Sequence, residues 1–395
     1  MNVLVLNCGS SSVRFQLIGP SSDEPLGKGH VERIGAADAV VTYRSRGKAG
    51  VRETSEVGDH GAALRMALAN LLHDEQGAIA TASEIGAVGH RVVHGGGIFQ
   101  DAALITEYVI EGIRSCARFA PLHNPHNLRG IQVCAELLPG VPQVAVFDTA
   151  FHQTMPPEAY TYALPQDISR KLRIRRYGFH GTSHRFVAGL AAETLGRPLA
   201  ELRLITCHLG NGASVTAVRG GVSVETSMGF TPLEGLVMGT RCGDMDPYVV
   251  LYLLENDGMS AADIGRLLNE QSGLLGLSGV SNDMRELLGE AELGNASARL
   301  AVDVFCHRVT KYIGAYAAVL GGADAVVFTG GIGEGSAAVR EQICRGLEFL
   351  GIEVSPERNS AHGPNISVGT TPVLVVHTNE ELAIARETRR VLSGG

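Results

Sequence analysis

Two short turns of small residues, one near the start of each half of the chain, constrain the fold most strongly. The segment LNCGSSSV at 6–13 aligns with HLGNGASV at 208–215, and each lies between two apolar, strand-like runs. An internal repeat of this kind is typical of a duplicated domain that clamps one ligand between its halves. The length of 395 residues also exceeds what one hydrophobic core usually holds, so we predict two α/β domains.

The residue types in these turns are suited to binding an anion. Successive backbone N–H groups in a tight Gly/Ser turn form a concave anion site, and small side chains let a phosphate approach the backbone. A plain β-hairpin turn uses the same residues, so the turns alone leave both interpretations open. A Walker-type loop is excluded because the first turn leads into a strand and G-K-[ST] does not occur.

Charge and cysteine usage exclude several classes of protein. The formal net charge is −8 and no long basic run occurs beyond Arg170–Arg176, which argues against a nucleic-acid partner. No apolar stretch approaches the length of a membrane span, and the N-terminus lacks the features of a signal peptide. The seven cysteines are scattered without a C-x-x-C pair and indicate a reducing compartment. We therefore expect a cytoplasmic protein with no membrane or nucleic-acid partner.

Hydrophobic periodicity predicts alternating strands and helices. We predict strands over 85–96 and 141–150 and helices over 59–75, 112–120, 128–138, 182–196 and 298–322. Thr182 or Ser183 is the expected N-cap of helix 182–196. The segment 323–351 reads as a strand, a glycine-rich loop (GGIGEG, 330–335) and a helix with one apolar stripe. That loop does not meet the G-x-G-x-x-G spacing cleanly, and it favours contact with a nucleotide base or sugar.

Charged residues follow several apolar runs. Arg91 lies among glycines in GHRVVHGG, Asp148 ends the apolar run of VFDTAFH, and Arg241 lies in MGTRCGDMDP. Arginines in such loops either face solvent or bind an anion, and both interpretations stay open from the residues alone. The histidines of PLHNPHN and YGFHGTSH lack the H-E-x-x-H pattern of zinc sites, which favours hydrogen bonding to a phosphoryl group over structural zinc.

Taken together, these segments resemble the acetate kinase (acetokinase) family of the acetate/sugar kinase, Hsp70 and actin superfamily. The resemblance rests on NCGSSS, GHRVVHGG, PLHNPHNL, VFDTAFH, YGFHGTSH, HLGNGAS, TSMGFTPLEGLVMGTR, SNDMRE, FTGGIGEGS and NEELAIA, in this order along nearly the whole chain. It implies two duplicated ribonuclease-H-like (actin-like ATPase) domains, 1–149 plus 381–395 and 150–380, with a nucleotide cleft between them. It also implies ATP/ADP, Mg²⁺ (with Mn²⁺ plausible), a homodimer formed mainly by the C-terminal half, and reversible phosphoryl transfer from ATP to acetate.

The resemblance also implies a role for individual residues. The catalytic residues would be Asp148, His180, Arg241, Arg91 and His123, with Arg91 and Arg241 binding the carboxylate and the phosphoryl group. Val93, Leu122, Phe179 and Pro232 would form the methyl pocket, together with Arg91 as a substrate ligand. The nucleotide would contact Arg14, His208, Leu209, Gly210, Asn211, Gly212, Asp283, Met284, Arg285, Gly331, Ile332, Gly333, Glu334 and Gly335. Asn7 and Glu380 would bind the metal, although the adjacent Glu381 is an alternative to Glu380.

Three residues depart from the family pattern. Arg14 stands in place of a lysine, Glu225 in place of an aspartate, and Gly335 in place of a common asparagine. Each change could alter nucleotide affinity without changing the reaction.

Because acetate, a carboxylic acid with a pKa of about 4–5, is already ionised at neutral pH, no base is needed to make it a nucleophile. We therefore hypothesise that Asp148 orients Arg91 or a water, whereas the family is often described with this aspartate as an acid or base.

Three other functions remain as alternatives. A kinase for propionate or another short-chain acid would keep the chemistry, since one methylene changes discrimination by only about 1–3 kcal/mol. An actin- or Hsp70-like ATPase would share the phosphate turns but has no need of a small-anion pocket. A non-catalytic nucleotide-binding regulator is disfavoured by the complete set of polar residues.

Overall fold

The computed structural model describes residues 1–20, 22–121 and 123–394. These residues form two compact units, one made of Met1–Phe151 with Asn379–Gly395 and the other of His152–Thr378. Each unit is a mixed α/β structure built on its own sheet.

The sheet of the first unit combines an antiparallel half with a parallel half. Its described strands are β1 (Asn2–Cys8), β2 (Ser12–Ile18), β3 (Gly27–Glu32), β4 (Ala39–Ser45), β5 (Val51–Ser55), β6 (Ile85–Val92), β7 (Ala103–Leu104) and β8 (Gln143–Phe147), in the order β5-β4-β3-β2-β1-β6-β8-β7. Neighbours from β5 to β1 pair antiparallel, whereas β1, β6 and β8 run parallel. The prediction included no strands between residues 27 and 55, because glycine and charged residues interrupt any apolar run there.

The described part of residues 1–151 forms three α-helices: α1 (His60–Leu71), α2 (Glu107–Ser115) and α3 (Asn124–Leu137), with a 3₁₀ turn at Ala82–Glu84. The helix predicted over 112–120 was misplaced. It begins at Glu107 after Thr106 and ends at Ser115, which buries Val109 and Ile113 on one side. α3 begins before the predicted residue 128, because Pro125 suits the first turn of a helix.

The core of the first unit lies under these helices. Phe15 and Leu17 of β2 pack with Leu64 and Leu71 of α1 and with Val133 of α3 in one apolar cluster. Alternation along β2 therefore points every second side chain into this core and leaves Arg14 exposed on the opposite face.

The sheet of the second unit is smaller. Its described strands are β9 (Arg203–Leu209), β10 (Ala213–Arg219), β11 (Val222–Thr226), β12 (Ala325–Thr329) and β13 (Val373–Val375), in the order β11-β10-β9-β12-β13. β11, β10 and β9 pair antiparallel, and β9, β12 and β13 run parallel. The order β3-β2-β1-β6-β8 of the first unit has the same sequence of pairings, so the predicted duplication of an α/β domain is confirmed.

The second unit has many more residues in helices than in strands. They are α4 (Pro157–Tyr160), α5 (Gln166–Leu172), α6 (Gly181–Leu195), α7 (Tyr248–Asn256), α8 (Ala261–Glu270), α9 (Gly273–Ser278), α10 (Met284–Glu292), α11 (Ala296–Leu320), α12 (Gly330–Gly335), α13 (Ala337–Cys344) and α14 (Pro356–Ser360). Short 3₁₀ segments occupy Ala150–Thr154, Leu199–Glu201 and Glu348–Leu350. The long helix predicted over 298–322 is α11, which ends at Gly321 in the left-handed conformation.

Two local predictions for the second unit were wrong. The N-cap of α6 is His180, at φ +57°, while Thr182 and Ser183 lie buried in its first turn. The segment 330–335, predicted as a loop, is the short helix α12. The following helix ends at Cys344, before the Leu347 and Leu350 of the predicted apolar stripe.

The C-terminal helix α15 (Glu380–Leu392) returns to the first unit, where it packs against β1, β6 and β8. It covers the face of the sheet opposite the core and brings Glu380 and Glu381, in its first turn, to this unit. No helix formed by the described residues has the length and apolarity that a membrane span requires.

Candidate active site

An ion cluster lies where two adjacent parallel strands of the first unit end. Arg91 of β6 pairs with Val146 of β8, two residues before Asp148. The Arg91 Nε donates to both Asp148 carboxylate oxygens at 3.1 Å, and Nη2 donates to Oδ2 at 2.7 Å. Glu380 Oε2 lies 3.6 Å from the Arg91 Nε. The sequence-predicted residues Arg91, Asp148 and Glu380 therefore meet in one place.

Burial and charge oppose each other in this cluster. Burial raises the pKa of Asp148, which is only 1% exposed, and the guanidinium of Arg91 opposes that rise. Burial works to lower the pKa of Arg91, but the carboxylates of Asp148 and Glu380 outweigh it and raise this pKa. Arg91 thus stays charged, and its bidentate contact with Asp148 fixes the plane of the guanidinium.

The first small-residue turn closes the hairpin between β1 and β2. The Gly9 N–H donates to the Ser12 carbonyl at 2.8 Å, and Ser10 and Ser11 are exposed. Asn7 lies directly opposite Arg14 in the ladder, so both predicted ligands flank this turn. The segment between β1 and β2 is a hairpin turn, and this geometry is also compatible with binding an anion.

Two asparagines of PLHNPHN join this turn to the end of β6, and sequence reasoning missed both. Asn127 donates to the Cys8 carbonyl at 2.8 Å and accepts from the Val93 N–H at 3.1 Å. Asn124 accepts from the His94 N–H at 3.1 Å and donates to its carbonyl at 2.9 Å. In this motif the asparagines, and not only the histidines, have a structural role. An N-P-H-N segment at a helix start provides buried amides as well.

His123 is the N-cap residue of α3 and is half-buried, as is Val93 after β6. Leu122, the remaining apolar residue predicted for the methyl pocket in this part of the chain, lies outside the described residues.

In the second unit, imidazoles and hydroxyls form a chain of hydrogen bonds. The Ser214 Oγ lies 2.9 Å from His180 Nδ1 and 2.8 Å from His184 Nε2. The other ring nitrogen of His184 lies 2.8 Å from the Thr206 hydroxyl. Burial, followed by the nearby His152 and His208, lowers the pKa of His184 well below its usual value, so its ring is neutral. The orientation of His180 is therefore set by neutral groups.

The face of the His180 ring packs against His208, which is held in turn by Ser183. The ring of His208 stacks on that of His180 with centroids 4.4 Å apart. The Ser183 hydroxyl lies 2.8 Å from His208 Nδ1 and 2.8 Å from the Thr378 hydroxyl. These contacts fix both predicted histidines at the end of β9.

The second small-residue turn lies between His180 and Arg241. A Cβ placed on Gly212 would be 3.3 Å from His180 Nε2 and 3.7 Å from Arg241 Nη1. The glycine therefore lets a cation and an imidazole reach the HLGNGAS backbone closely. Arg241 Nη1 also lies 3.4 Å from the Pro232 carbonyl, which it can bond only weakly. Phe179, the residue before His180, is buried.

A second ion cluster, which sequence reasoning missed, lies beneath the loop that carries Pro232 and Arg241. Arg176 Nη2 donates to Glu234 Oε1 at 2.6 Å, and Tyr162 donates to the other oxygen of Glu234. Arg176 Nη1 donates to the carbonyls of residues 226–228 at 3.0–3.2 Å. The departing residue Glu225 lies 3.6 Å from Arg176, so its extra methylene is accommodated in this cluster.

A cavity of about 810 Å³ lies wholly within the second unit, in the size range of small-molecule sites. Its lining comprises Gly210, Asn211, Asn282, Asp283, Met284, Arg285, Leu288, Gly331, Ile332, Gly335 and Ser336. Eight of the predicted nucleotide residues belong to this lining. Space is open around Gly335, so the loss of a family asparagine there widens the cavity.

Five other predicted nucleotide residues, His208, Leu209, Gly212, Gly333 and Glu334, are not among the described residues that line this cavity. Leu209 and Gly333 are buried, so only their backbone groups are available for a ligand.

Glu334 and Arg340 hold the two ends of α12. The Glu334 carboxylate accepts from the Gly330 N–H at 2.9 Å and the Thr378 N–H at 3.0 Å. Arg340 is 0% exposed, and its Nη1 donates to the carbonyls of Gly333 and Glu334 at 2.8 Å. A six-residue helix with four glycines is intrinsically weak, so these side chains explain why α12 forms.

No group of three or more His, Cys, Asp or Glu side chains within 1–20, 22–121 and 123–394 could hold a metal ion.

The sequence and structure of this chain are similar to those of proteins with known activities. The family model described as "Acetokinase family" matches residues 2–386. The acetate kinase of Alkaliphilus metalliredigens is 54% identical over 99% of this chain and 100% of its own length. The crystal structure of Porphyromonas gingivalis acetate kinase matches with a TM-score of 0.94 and 45% identity over 99% of both chains. A propionate kinase from Francisella tularensis matches with the same TM-score, 43% identity and the same coverage.

Proposed function

The chain belongs to the acetokinase family, and from this premise we propose that it is an acetate kinase. It transfers the γ-phosphoryl group of ATP reversibly and directly to acetate, which gives acetyl phosphate and ADP. The observation that carries this conclusion is the end-to-end identity of 54% with a known acetate kinase. The enzyme class is thus a phosphotransferase with a carboxyl acceptor.

The reaction depends more on positioning acetate and the phosphoryl group than on proton transfer. Acetate arrives as an anion, and the transferring phosphoryl group carries spread negative charge, so the enzyme must overcome repulsion. Arg91 and Arg241 bind the acetate carboxylate and the phosphoryl oxygens in this proposal. The bidentate contact between Arg91 and Asp148 supports an orienting role for Asp148, since both of its carboxylate oxygens accept hydrogen bonds from the guanidinium.

His180 donates a hydrogen bond to the phosphoryl oxygens in this proposal, and His123 supports it. The contact of His180 Nδ1 with Ser214 leaves Nε2 as the ring nitrogen near Gly212. A fixed donor of this kind is most effective where charge develops in the transition state. Val93, Leu122, Phe179 and Pro232 form the apolar pocket for the methyl group.

ATP binds the second unit in this proposal, with its adenosine in the cavity bounded by α10 and α12. Arg285, Asp283 and Met284 begin α10, and Gly331 and Ile332 belong to α12. Arg14 and the β9–β10 turn at 208–212 then contact the phosphates.

Mg²⁺, or Mn²⁺ in its place, would be held by Asn7 and Glu380. One amide and one carboxylate fit a cation that normally completes its shell with substrate phosphates and waters. The adjacent Glu381 remains the alternative ligand to Glu380. When bound, the cation would offset charge on the phosphoryl oxygens.

The choice of acid is tested by acyl phosphate formation. Purified protein with ATP and Mg²⁺ is given acetate, propionate or butyrate, and the product is trapped as a hydroxamate. We expect kcat/KM to be highest for acetate, by about 10-fold or more over propionate, because one methylene changes pocket binding by about 1–3 kcal/mol. A preference for propionate, as the name of the Francisella tularensis relative suggests, would replace the substrate and keep the reaction. No trapped product with any acid would overturn the function itself.

We also propose that the enzyme is a homodimer formed through the second unit. Helix α7 (YVVLYLLEN) is almost wholly apolar, and none of its residues is buried. Tyr248 and Tyr252 are 61% and 57% exposed, respectively, which is unusual for a contiguous aromatic and aliphatic patch. Light scattering should give the mass of two chains, and Tyr252→Glu with Leu251→Glu should give one. A single-chain mass for the unmodified protein would contradict the dimer.

The location proposed for the enzyme is the cytoplasm, where thiols stay reduced. Six of its seven cysteines are buried. Burial raises the pKa of the Cys8 thiol to about 12, and it raises those of Cys306 and Cys344 to about the same value. These three thiols are therefore protonated and unreactive at neutral pH.

A further inference from the structure

Basic side chains face one another on the exposed side of the antiparallel half of the first sheet. Arg14 of β2 lies directly opposite His30 of β3, and Lys28 of β3 lies directly opposite Arg44 of β4. Residues 28 and 30 are two apart on one strand, so both pairs project from the same face. We call these four residues the basic quartet.

Placing like charges opposite each other weakens a sheet. Opposite-charge cross-strand pairs contribute about 0.2–1 kcal/mol, and like charges directly opposite, as in Lys28 and Arg44, are destabilising. Burial, followed by the charge of Arg14, lowers the pKa of His30, so Arg14 faces an imidazole and not a second cation. The side chains of Arg14, Lys28 and Arg44 form no hydrogen bond or ion pair with any residue in the described ranges. Of the quartet, only His30 has a carboxylate within ion-pair distance there, Glu32 at 3.5 Å. The arrangement therefore lacks a structural benefit within this unit.

The quartet borders a cavity. A recess of about 420 Å³ is lined by all four residues together with Thr42 and Glu381. The Nε2 of His30 is buried without a hydrogen-bond partner among the residues that the structure describes. Three cations outnumber the one carboxylate of the recess, that of Glu381, which interacts with Arg14. Such a recess, with a buried and unsatisfied imidazole nitrogen, is suited to an anion with several charged oxygens.

Protection of a sheet edge does not explain the quartet. Lysines and arginines on edge strands prevent unwanted strand pairing, but the edge strand of this half is β5, and the quartet lies on β2, β3 and β4. These strands have neighbours on both sides, so no edge needs protection there.

We propose that the basic quartet is a binding site for a small polyanion that carries two or more phosphate groups. Lys28 and Arg44 lie outside the residues assigned to catalysis, and Arg14 is shared with the proposed phosphate contacts. The site is therefore a phosphate-binding position in the first unit that shares Arg14 with the proposed ATP contacts and is separate from the cavity in the second unit.

Calorimetric titration of the full-length protein with tripolyphosphate tests this site. We expect two binding events per chain in the unmodified protein, one at the catalytic phosphate position and one at the quartet. The double variant Lys28→Gln/Arg44→Gln should lose one event, or weaken it by about tenfold or more, because each charge-assisted hydrogen bond contributes about 1.5–3 kcal/mol. Its acetate kinase activity without tripolyphosphate should remain that of the unmodified protein.

The matched control is Arg299→Gln/Lys311→Gln, which removes two exposed positive charges from α11 and leaves the quartet intact. It should keep both binding events. One event in the unmodified protein, or equal weakening in both double variants, would overturn the proposal, since only general charge would then be at work. Inorganic phosphate binding as tightly as tripolyphosphate would also overturn it.

Discussion

The two units share one order of strand pairings but fix their functional groups by different means. In the first unit, β6 and β8 end in charged partners, and Arg91 is held by Asp148 and Glu380. In the second unit, His180 is held by the hydroxyl of Ser214 on β10, which also bonds the neutral ring of His184. The same scaffold thus supports one ionic and one neutral way of orienting a side chain.

The difference follows from what each group must do. A guanidinium that binds an anion keeps its charge, and a buried carboxylate beside it stabilises that charge and fixes its plane. An imidazole that donates a hydrogen bond needs a fixed tautomer, which hydroxyl partners set without adding charge. The ionic arrangement should therefore fail abruptly when its guanidinium is removed, and the neutral one gradually when a hydroxyl is removed.

The largest effect should come from Arg91. Arg91→Leu should lower kcat by about 10³-fold or more, because it removes an anion ligand and leaves Asp148 buried without its counter-charge. Asp148→Asn should stay within about tenfold of the unmodified kcat, since the amide oxygen still accepts one hydrogen bond from Arg91. Hydroxamate-trapped acetyl phosphate gives both rates.

Arg91→Lys, which keeps the charge and loses the bidentate geometry, is the control for loss of folding, with circular dichroism as the check. Equal losses for Arg91→Leu and Asp148→Asn, accompanied by a displaced pH–rate profile, would show that Asp148 transfers a proton and that the ionic arrangement does more than orient.

Acid should destabilise the second unit more than the first. Burial lowers the pKa of His152 to about 4 and that of His184 well below 6.5 in the second unit. In the first unit it lowers the pKa of His90 to about 4, and it lowers those of the less buried His30 and His126 by smaller amounts, so the three fully buried rings carry most of the effect. Because these folded-state pKa values lie below the unfolded value, unfolding takes up protons once the pH falls below about 6.5. Stability is therefore complete above that pH and is lost on the way to pH 4, by about 2 kcal/mol per histidine at pH 5.

Hydrogen exchange at pH 7.5 and pH 5, corrected for intrinsic rates, measures this loss separately in each unit. Protection in β9 and β10 should fall further than protection in β1 and β6. Equal falls in both sheets would contradict the idea that the neutral arrangement carries the greater acid sensitivity.

The sequence was sufficient to predict the features that depend on residue type and spacing alone. The two small-residue turns, Arg91 and Asp148 at their strand ends, and the long helix α11 all follow from spacing and residue type. The duplication was visible because both hairpins use similar residues at the same place in the fold.

Features that depend on tertiary partners could not be predicted from local patterns. α12 forms because Glu334 and Arg340 satisfy its ends, and the glycines of GGIGEG alone indicate a loop. His180 is the N-cap of α6 in a left-handed conformation because its ring is held by Ser214, and nothing adjacent in sequence signals this. β3 to β5 contain too few consecutive apolar residues to be distinguished from a polar loop.

A substitution at Arg340 tests whether an arginine that binds backbone carbonyls in the second unit affects ATP binding, in contrast to a similar arginine in the first unit. Arg340→Lys keeps the charge but cannot reach the carbonyls of Gly333 and Glu334 together with Asn359. We expect KM for ATP to rise by about tenfold through loss of α12 geometry, with KM for acetate unchanged.

Arg389→Lys is the matched control in the first unit, since Arg389 donates to the carbonyls of Ile18 and Gly19 at 2.9 and 2.8 Å, respectively. It should lower the melting temperature without changing either KM. A rise in KM for acetate equal to that for ATP would mean that Arg340 supports the whole unit and not the nucleotide cavity.

The smallest effect should come from the neutral chain itself. Ser214→Ala removes the hydroxyl between His180 and His184, and a single neutral hydrogen bond contributes about 1 kcal/mol, so kcat should fall by about fivefold. Ser223→Ala is the matched control, because Ser223 makes the same kind of contact, 2.9 Å to His152 Nδ1, without touching His180. It should lower stability and leave kcat unchanged. A fall in kcat of several hundredfold for Ser214→Ala would mean that the neutral arrangement fails as abruptly as the ionic one. An equal fall in kcat for both variants would show that Ser214 has no specific role in orienting His180.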